Sequence, residues 1–281
     1  MDLSILSWRV GFLFEALALL FIAKIIRDLF LLRKGYRTDQ QITEHDNVAA
    51  AIDLSGFLLG SMIALLDSFI IEGESWLSQA SSIAYTGMFV IAFMFINSFI
   101  CDFLIFRGLD DQKEINENKN VALACARAGS MIATGFMIRA AFGHPNPWLV
   151  CMAWALVGQI GLVIMSYIYQ WISPYDDLEE IQKGNLAAGL PFMGVLVAVG
   201  LTLEGAIYGE AVAWQDELIA VVMYIVVGGL LLWLVRFLFN AIFLPKGDLN
   251  DEIVKDQNIG VGLLEATLYI AMADLINFFL S

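Results

Sequence analysis

Long apolar stretches alternate with polar segments along the whole chain. Eight of them stand out, over roughly residues 8–33, 48–71, 81–106, 120–142, 148–172, 186–208, 216–244 and 259–280. A bilayer core takes about 20 helical residues to cross, and a backbone deprived of water must satisfy its hydrogen bonds within its own helix. The pattern therefore predicts eight membrane-spanning helices. The polar segments between them are of two kinds. Those after helices one, three, five and seven are long; those after helices two, four and six are short, as in Gly143-His144-Pro145-Asn146-Pro147.

The long connections share a phrase: an acidic or amide residue, Ile, a polar spacer, and an Asn that opens the next helix. It runs from Gln41-Ile42 to Asn47, Glu114-Ile115 to Asn120, Glu180-Ile181 to Asn185 and Glu252-Ile253 to Asn258. Asn47 and Asn185 are 138 residues apart, as are Asn120 and Asn258. Equal offsets point to one two-hairpin unit copied in tandem, at 1–143 and 144–281. Each unit has four spans, so both enter the membrane in the same sense, with a pseudo-two-fold axis along the membrane normal. The hairpins within a unit resemble each other too, which suggests a four-fold-like arrangement of the even helices around a centre. Each Asn suits an N-cap, accepting a hydrogen bond from an orphan N–H of the first turn.

Odd and even stretches differ in texture. The odd ones are bulky, as in Met88-Phe89-Val90-Ile91-Ala92-Phe93-Met94-Phe95; the even ones are rich in small residues, such as Gly56, Gly60 and Ala64, or Gly189, Gly194, Ala198 and Gly200. In lipid, close helix contact comes from small residues that let backbones approach. The even helices are therefore expected at the centre and the odd ones at the lipid-facing rim. Pro191 is expected to bend or locally break the sixth helix.

Composition fixes the class. Hydrophobic residues make up 59% and charged ones 16%, against about 25% charged in soluble domains, and the mean hydropathy is +0.75. The fold class is an all-α polytopic membrane protein of eight transmembrane helices in two parallel four-helix repeats. Cys101, Cys125 and Cys151 lie in apolar stretches and read as small buried hydrophobes. A net charge of -14 and a pI near 4.4 argue against nucleic acid as a partner. Arg33, Lys34, Arg37, Arg107, Lys113, Lys119, Lys183, Lys246 and Lys255 all fall in the long connections, and the opposite side has only Arg9. The positive-inside rule then puts the long connections in the cytoplasm and both termini outside. Residues 1–9 carry Asp2 and no basic run or small-residue cleavage site, so the first stretch is expected to be a retained helix.

The segment Asn47-Val48-Ala49-Ala50-Ala51-Ile52, with Leu54-Ser55-Gly56 and Gly60, together with Asn185-Leu186-Ala187-Ala188-Gly189 and Met193-Gly194, resembles the YjfL-type "domain of unknown function 350" family of bacterial inner-membrane proteins. A usual member resembles one half of this chain: four helices, with Asn-x-Ala-Ala opening the second and fourth. The segments after Asn120 and Asn258 depart from strict Ala-Ala. The resemblance implies a bacterial inner-membrane location and no particular reaction, and an association of some members with membrane-stress or scaffold proteins.

Ionisable residues inside spans are costly and mark sites or structural ties. An inner layer holds Asp53, Arg127 and Glu265, about 10 Å in from their Asn residues at 1.5 Å per residue, with Asp102 and Asp28 near the ends of their helices and Lys24, Arg27 and Arg236 alongside. An outer layer holds Asp67, Arg139, Glu204 and Asp274, with Glu15 on the first helix; Ser55, Asn97 and Gln159 lie between. On a structural reading, Arg127 pairs with Asp53 or Glu265, and Arg139 with Glu204 or Asp274, tying helices in register at little net gain in stability. On a functional reading they form a proton or cation path. Eight acids (Glu15, Asp28, Asp53, Asp67, Asp102, Glu204, Glu265, Asp274) face five bases (Lys24, Arg27, Arg127, Arg139, Arg236), so some carboxylates must be protonated or hydrated.

Catalysis has no support in the sequence. His45 and His144 fall on opposite sides, and His-Glu-x-x-His, Gly-x-Ser-x-Gly and phosphate-binding Gly loops are missing. Asp110-Asp111 and Asp176-Asp177 read as solvated loop charge, not a metal site. No catalytic residue, metal or cofactor is expected. The leading expectation is a channel or transporter for protons, small cations or another small solute; the alternative is a scaffold whose acidic cytoplasmic loops recruit a partner. The expected partners are the bilayer, a membrane-associated protein and further copies of the chain.

Overall fold

A computed structural model describes residues 3–69, 75–143, 147–208, 214–244 and 247–280, with side chains within residues 7–279. His144 lies outside the described residues. Among those described there is no strand. The helices are α1 (Leu3–Arg33), α2 (Thr38–Thr43), α3 (Val48–Leu65), α4 (Trp76–Ile100), α5 (Asp111–Asn116), α6 (Val121–Phe142), α7 (Trp148–Ile172), α8 (Asp177–Gln182), α9 (Leu186–Ile207), α10 (Trp214–Phe243) and α11 (Ile259–Leu280). Seven of the long ones, α3, α4, α6, α7, α9, α10 and α11, are apolar enough to cross a membrane. The eighth, α1, is not among them: Arg9, Glu15, Lys24, Arg27 and Asp28 interrupt its described apolar run.

The even helices lie side by side as a row, α3–α6–α9–α11, and α4, α7 and α10 each lie over one seam of it. The inner two, α6 and α9, are almost wholly buried, while α1 and α10 expose Leu13, Phe14, Leu230 and Trp233 as a rim. The four-fold-like ring is not formed: α3 and α11 do not pack on each other, and the row has two open ends.

Small residues set the seams in one register. The ninth residue after each Asn meets the eighth of the next copy: a Cβ on Gly56 would lie 2.4 Å from Ala128 Cα, on Gly129 2.9 Å from Met193 Cα, and on Gly194 2.5 Å from Ala266 Cα. Other positions repeat as well. Gly189 abuts Ala122 as Gly262 abuts Ala187, and Gly135 abuts Gly60 as Gly200 abuts Ala133. Backbones this close gain dispersion contacts that lipid tails cannot supply. Helix α9 runs unbroken through Pro191. Proline lacks the N–H that would bond the carbonyl four residues back; that carbonyl, of Ala187, faces Gly262.

Each repeat Asn caps its helix. Asn47 Oδ1 accepts from Ala50 N (3.1 Å), Asn120 from Leu123 N (3.0 Å), Asn185 from Ala187 N (3.0 Å) and Asn258 from Gly260 N (3.1 Å). Three of them also bond across the seam, donating Nδ2 to the carbonyl of the next copy's Ile: Asn47 to Ile115 (2.9 Å), Asn120 to Ile181 (2.8 Å), Asn185 to Ile253 (2.8 Å). The residue before each Asn has left-handed backbone: Asp46, Lys119, Gly184 and Gln257, with φ of 48°, 52°, 80° and 48°.

Candidate functional site

The long connections are not simply solvated loops. Asp110 and Asp176 cap α5 and α8, accepting from Lys113 N (3.2 Å) and Glu179 N (3.1 Å). Those caps turn the next residues, Asp111 and Asp177, inward, where they are 2% and 1% exposed. The expectation of solvated charge thus holds for the first acid of each pair and fails for the second. The signal was in the sequence: each buried Asp stands four residues before an Ile of the repeated phrase.

The inner layer is two clusters. In the first, buried Arg127 on α6 bonds Asp53 Oδ1 through Nε (3.0 Å), Asp102 Oδ1 through Nη1 (2.6 Å), and Asp111. Arg27 Nη2 reaches the other oxygen of Asp53 at 2.5 Å, and Lys24 pairs with Asp28 at the edge. Asp102 sits on a π-helical turn, Cys101–Ile105, that ends α4. Arg127 therefore ties α3, α4 and α5 to α6. Three carboxylates surround two guanidinium groups, leaving one acid in excess. Burial pushes the carboxyl of Asp111 up to about 8, against the pull of Arg127 and with the help of Asp102.

Glu265 is not part of this cluster. It is fully buried beside Arg236 (Nη1 to Oε1, 3.8 Å) and accepts from Tyr269 Oη at 2.7 Å. The Arg236 guanidinium lies over the rings of Tyr169 (5.6 Å) and Tyr175 (5.2 Å). Asp177 completes the group, its carboxyl raised to about 8 by burial, with Arg236 opposing. Both Nη atoms of Arg236, both oxygens of Asp177 and the hydroxyls of Tyr169 and Tyr175 are buried without a protein hydrogen bond of ordinary geometry. Two grooves open onto this cluster: one of about 380 Å³ between Arg236, Asn240 and Asp248, and one of about 470 Å³ between Arg107, Gln170 and Asp177.

The outer layer contracts to one group. Arg139 reaches Asp67 (Nε to Oδ1, 3.1 Å) and Glu204 (Nη1 to Oε1, 3.4 Å). Asp274 is exposed and makes no ion pair among the described residues, so it does not join Arg139.

A buried polar file occupies the interval between the layers. Asn97 Oδ1 accepts from Gln159 Nε2 (2.5 Å) and Ser130 Oγ (3.4 Å). Ser130 Oγ lies 2.8 Å from Cys101 Sγ, and Gln159 Nε2 reaches Thr134 Oγ1 at 3.4 Å. Asn97, Ser130, Thr134 and Gln159 are all buried. The sequence had indicated Asn97 and Gln159, but Ser55 is exposed and stands apart. Ser130 and Thr134 lie one and two helical turns beyond Arg127 on α6 and were hidden among its small residues.

A bundle this apolar, with its charge gathered into buried clusters, defines a polytopic α-helical membrane protein. The chain belongs to the family described as Domain of Unknown Function (DUF350), which matches residues 3–142 and 143–280, and also 75–170. The UPF0719 transmembrane protein of Aquifex aeolicus is 23% identical over 268 residues, covering 94% of this chain and 96% of that protein. The UPF0719 inner membrane protein YjfL of Escherichia coli is 27% identical over 123 residues, 44% of this chain and 86% of that protein. The UPF0719 transmembrane protein YshE of Bacillus subtilis is 23% identical over 128 residues, 46% and 90%. No solved structure matches.

Proposed function

We propose that the chain is an eight-span inner-membrane protein that moves protons or small monovalent cations, with its long connections cytoplasmic, both termini outside and no catalytic role. In this reading α1 is the eighth span, and residues 1–143 and 144–281 are two tandem units; separate family matches to 3–142 and 143–280 support the division. The name of the Escherichia coli relative supports the location. One observation carries the transport reading: the buried file Ser130–Asn97–Gln159–Thr134 starts beside the Arg127 cluster and runs toward Arg139. Arg127 and Arg139 are twelve residues apart on α6, about 18 Å along the axis, and the file occupies the part nearer Arg127. Each charge cluster holds one more acid than base, so each retains an ionisable proton or attracts a cation.

Proteoliposomes carrying an internal pH dye test this directly. The parent should dissipate an imposed pH or potassium gradient, and Gln159→Leu, which cuts the file without removing a charge, should slow it several-fold while remaining folded. A parent protein that passes neither protons, sodium nor potassium would sink the proposal. A second reading, a scaffold, draws on the exposed acids of the connections, among them Asp39, Glu44, Glu117, Asp176 and Glu179. In that case Gln159→Leu leaves function intact, and neutralising these acids abolishes capture of the protein's membrane-associated partner.

A further inference from the structure

The row α3–α6–α9–α11 uses one seam three times and leaves half of that seam bare at each end. The leading half-seam consists of the second, ninth and thirteenth residues after the Asn. In α11 these are Gly260, Thr267 and Ala271, all exposed, with threonine where the three formed seams carry Gly56, Gly129 and Gly194. The receiving half-seam consists of the fourth, eighth and fifteenth residues. In α3 these are Ala51, Ser55 and Met62, of which Ser55 is exposed and the others partly so.

The polar contacts are unfinished in the same way. Asn258 is exposed; its Nδ2 bonds its own Glu252 (2.8 Å), but it has no Ile carbonyl across a seam. At the other end the carbonyl of Ile42 receives no Asn among the described residues, unlike those of Ile115, Ile181 and Ile253. A groove of about 630 Å³, lined by Phe12, Leu13, Ala16, Met62 and Leu66 and also by Arg9, runs between α1 and the receiving face of α3.

We infer that copies of this chain associate head to tail, α11 of one lying on α3 of the next, so that the row continues from molecule to molecule. Thr267 of one copy then meets Ser55 of its neighbour in the register of Gly194 and Ala266 but at a wider spacing, because a Cβ on Gly194 would fall 2.5 Å from Ala266 Cα and Thr267 carries one. The amide of Asn258 donates to the neighbour's Ile42 carbonyl, and the end of α11 fills the groove beside Met62. The two surfaces are different, so the contact is heterologous and yields a closed ring or an open strip in the membrane plane, not a two-fold dimer. Among the candidate occupants, lipid matches the apolar character of these faces but has no reason to match their register. A second copy matches both.

Cysteine cross-linking in native membranes reads the register. Ser55→Cys and Thr267→Cys are made separately in differently tagged full-length chains and together in one chain, keeping the native cysteines, all of which are buried. Under mild oxidation the two single variants co-expressed should give one covalent heterodimer, the double variant a ladder of higher species, and each single variant alone none. A spacing just wide enough to admit both side chains puts their Cβ atoms within disulfide reach, about 4 Å. A Thr267→Cys homodimer would mean two-fold pairing, and a disulfide within one monomer a closed ring of even helices; either result overturns the inference. So does the lack of any cross-link, when the same preparation is monomeric by native mass spectrometry.

Discussion

Arg127 shows how one side chain sets the terms for several helices. It faces Asp53, Asp102 and Asp111 while itself 2% exposed. Removing one partner of a buried pair costs about 3–5 kcal/mol, because the remaining charge has no solvent. Arg127→Met should therefore lower thermal stability in detergent severely, and adding Asp53→Asn and Asp111→Asn should recover part of the loss. The pH response follows from Asp111 and Asp177, whose folded values of about 8 lie above the ordinary 3.8. Folded protein holds their protons between these limits and unfolded chain does not. Their contribution is largest below pH 4, declines by at most about 1.4 kcal/mol per unit for each group as pH rises through the window, and is gone above 8. Melting between pH 5 and 8.5 should show the decline, and Asp177→Asn should flatten it. Glu180 and Asp39 are shifted the other way; their contribution is present above the ordinary carboxylate range and is lost only as pH falls below it. None of this was legible from Asp111 and Asp177 alone. An acid in a polar loop reads as solvated until a cap on its neighbour is seen to turn it inward.

The long helices could be read closely from sequence because lipid makes the apolar run and the helix coincide. Predicted spans such as 148–172 and 186–208 meet α7 (Trp148–Ile172) and α9 (Leu186–Ile207) almost residue for residue. The short helices α2, α5 and α8 could not be read this way, since six mostly polar residues carry no periodic signal. What a long helix does with its glycines depends on the distance to its neighbour. At Gly194 a Cβ would fall 2.5 Å from Ala266 Cα, where backbone must move; at Gly228 the nearest atom is Met165 Cε at 3.6 Å. Overpacking costs about 1–3 kcal/mol, whereas Ala suits a roomy helix position. Gly194→Ala should therefore lower the melting temperature and Gly228→Ala should leave it unchanged or slightly raised. Equal effects would mean that the seams are not the close contacts described. Gly184 offers a separate check, because its φ of +80° disfavours a side chain by about 1–2 kcal/mol. Gly184→Ala should destabilise the start of α9, and Lys119→Gly, at φ +52°, should stabilise the start of α6.

For the whole molecule the row explains how two halves that each match the family, over 3–142 and 143–280, pack as one body. Residues 1–143 and 144–281 meet along α6 and α9, with α7 across the seam. The contact is more than apolar: Asn120 bonds the Ile181 carbonyl, Gln159 bonds Asn97, and Arg139 reaches Glu204. The equal spacing of Asn residues pointed to related pieces, yet a spacing along the chain carries no information on whether copies close into a ring or stand in a line. That choice rests on which faces of each helix are small, and the side-by-side register emerges only once both faces are placed. If the seam governs assembly, the connection between α6 and α7 is dispensable. Residues 1–143 and 144–281 expressed together as separate chains, with a tag on one, should then be recovered together in detergent. Gly189 lies where a Cβ would fall 2.6 Å from the Ala122 carbonyl oxygen, so Gly189→Leu forces the two backbones apart. A loss of about 3 kcal/mol across the seam corresponds to a roughly hundredfold weaker association, enough to remove the untagged piece from the purified material. Recovery of both pieces despite that substitution would mean that α7 and the ion pairs hold the molecule together, and that the small-residue row is a consequence of the fold and not its cause.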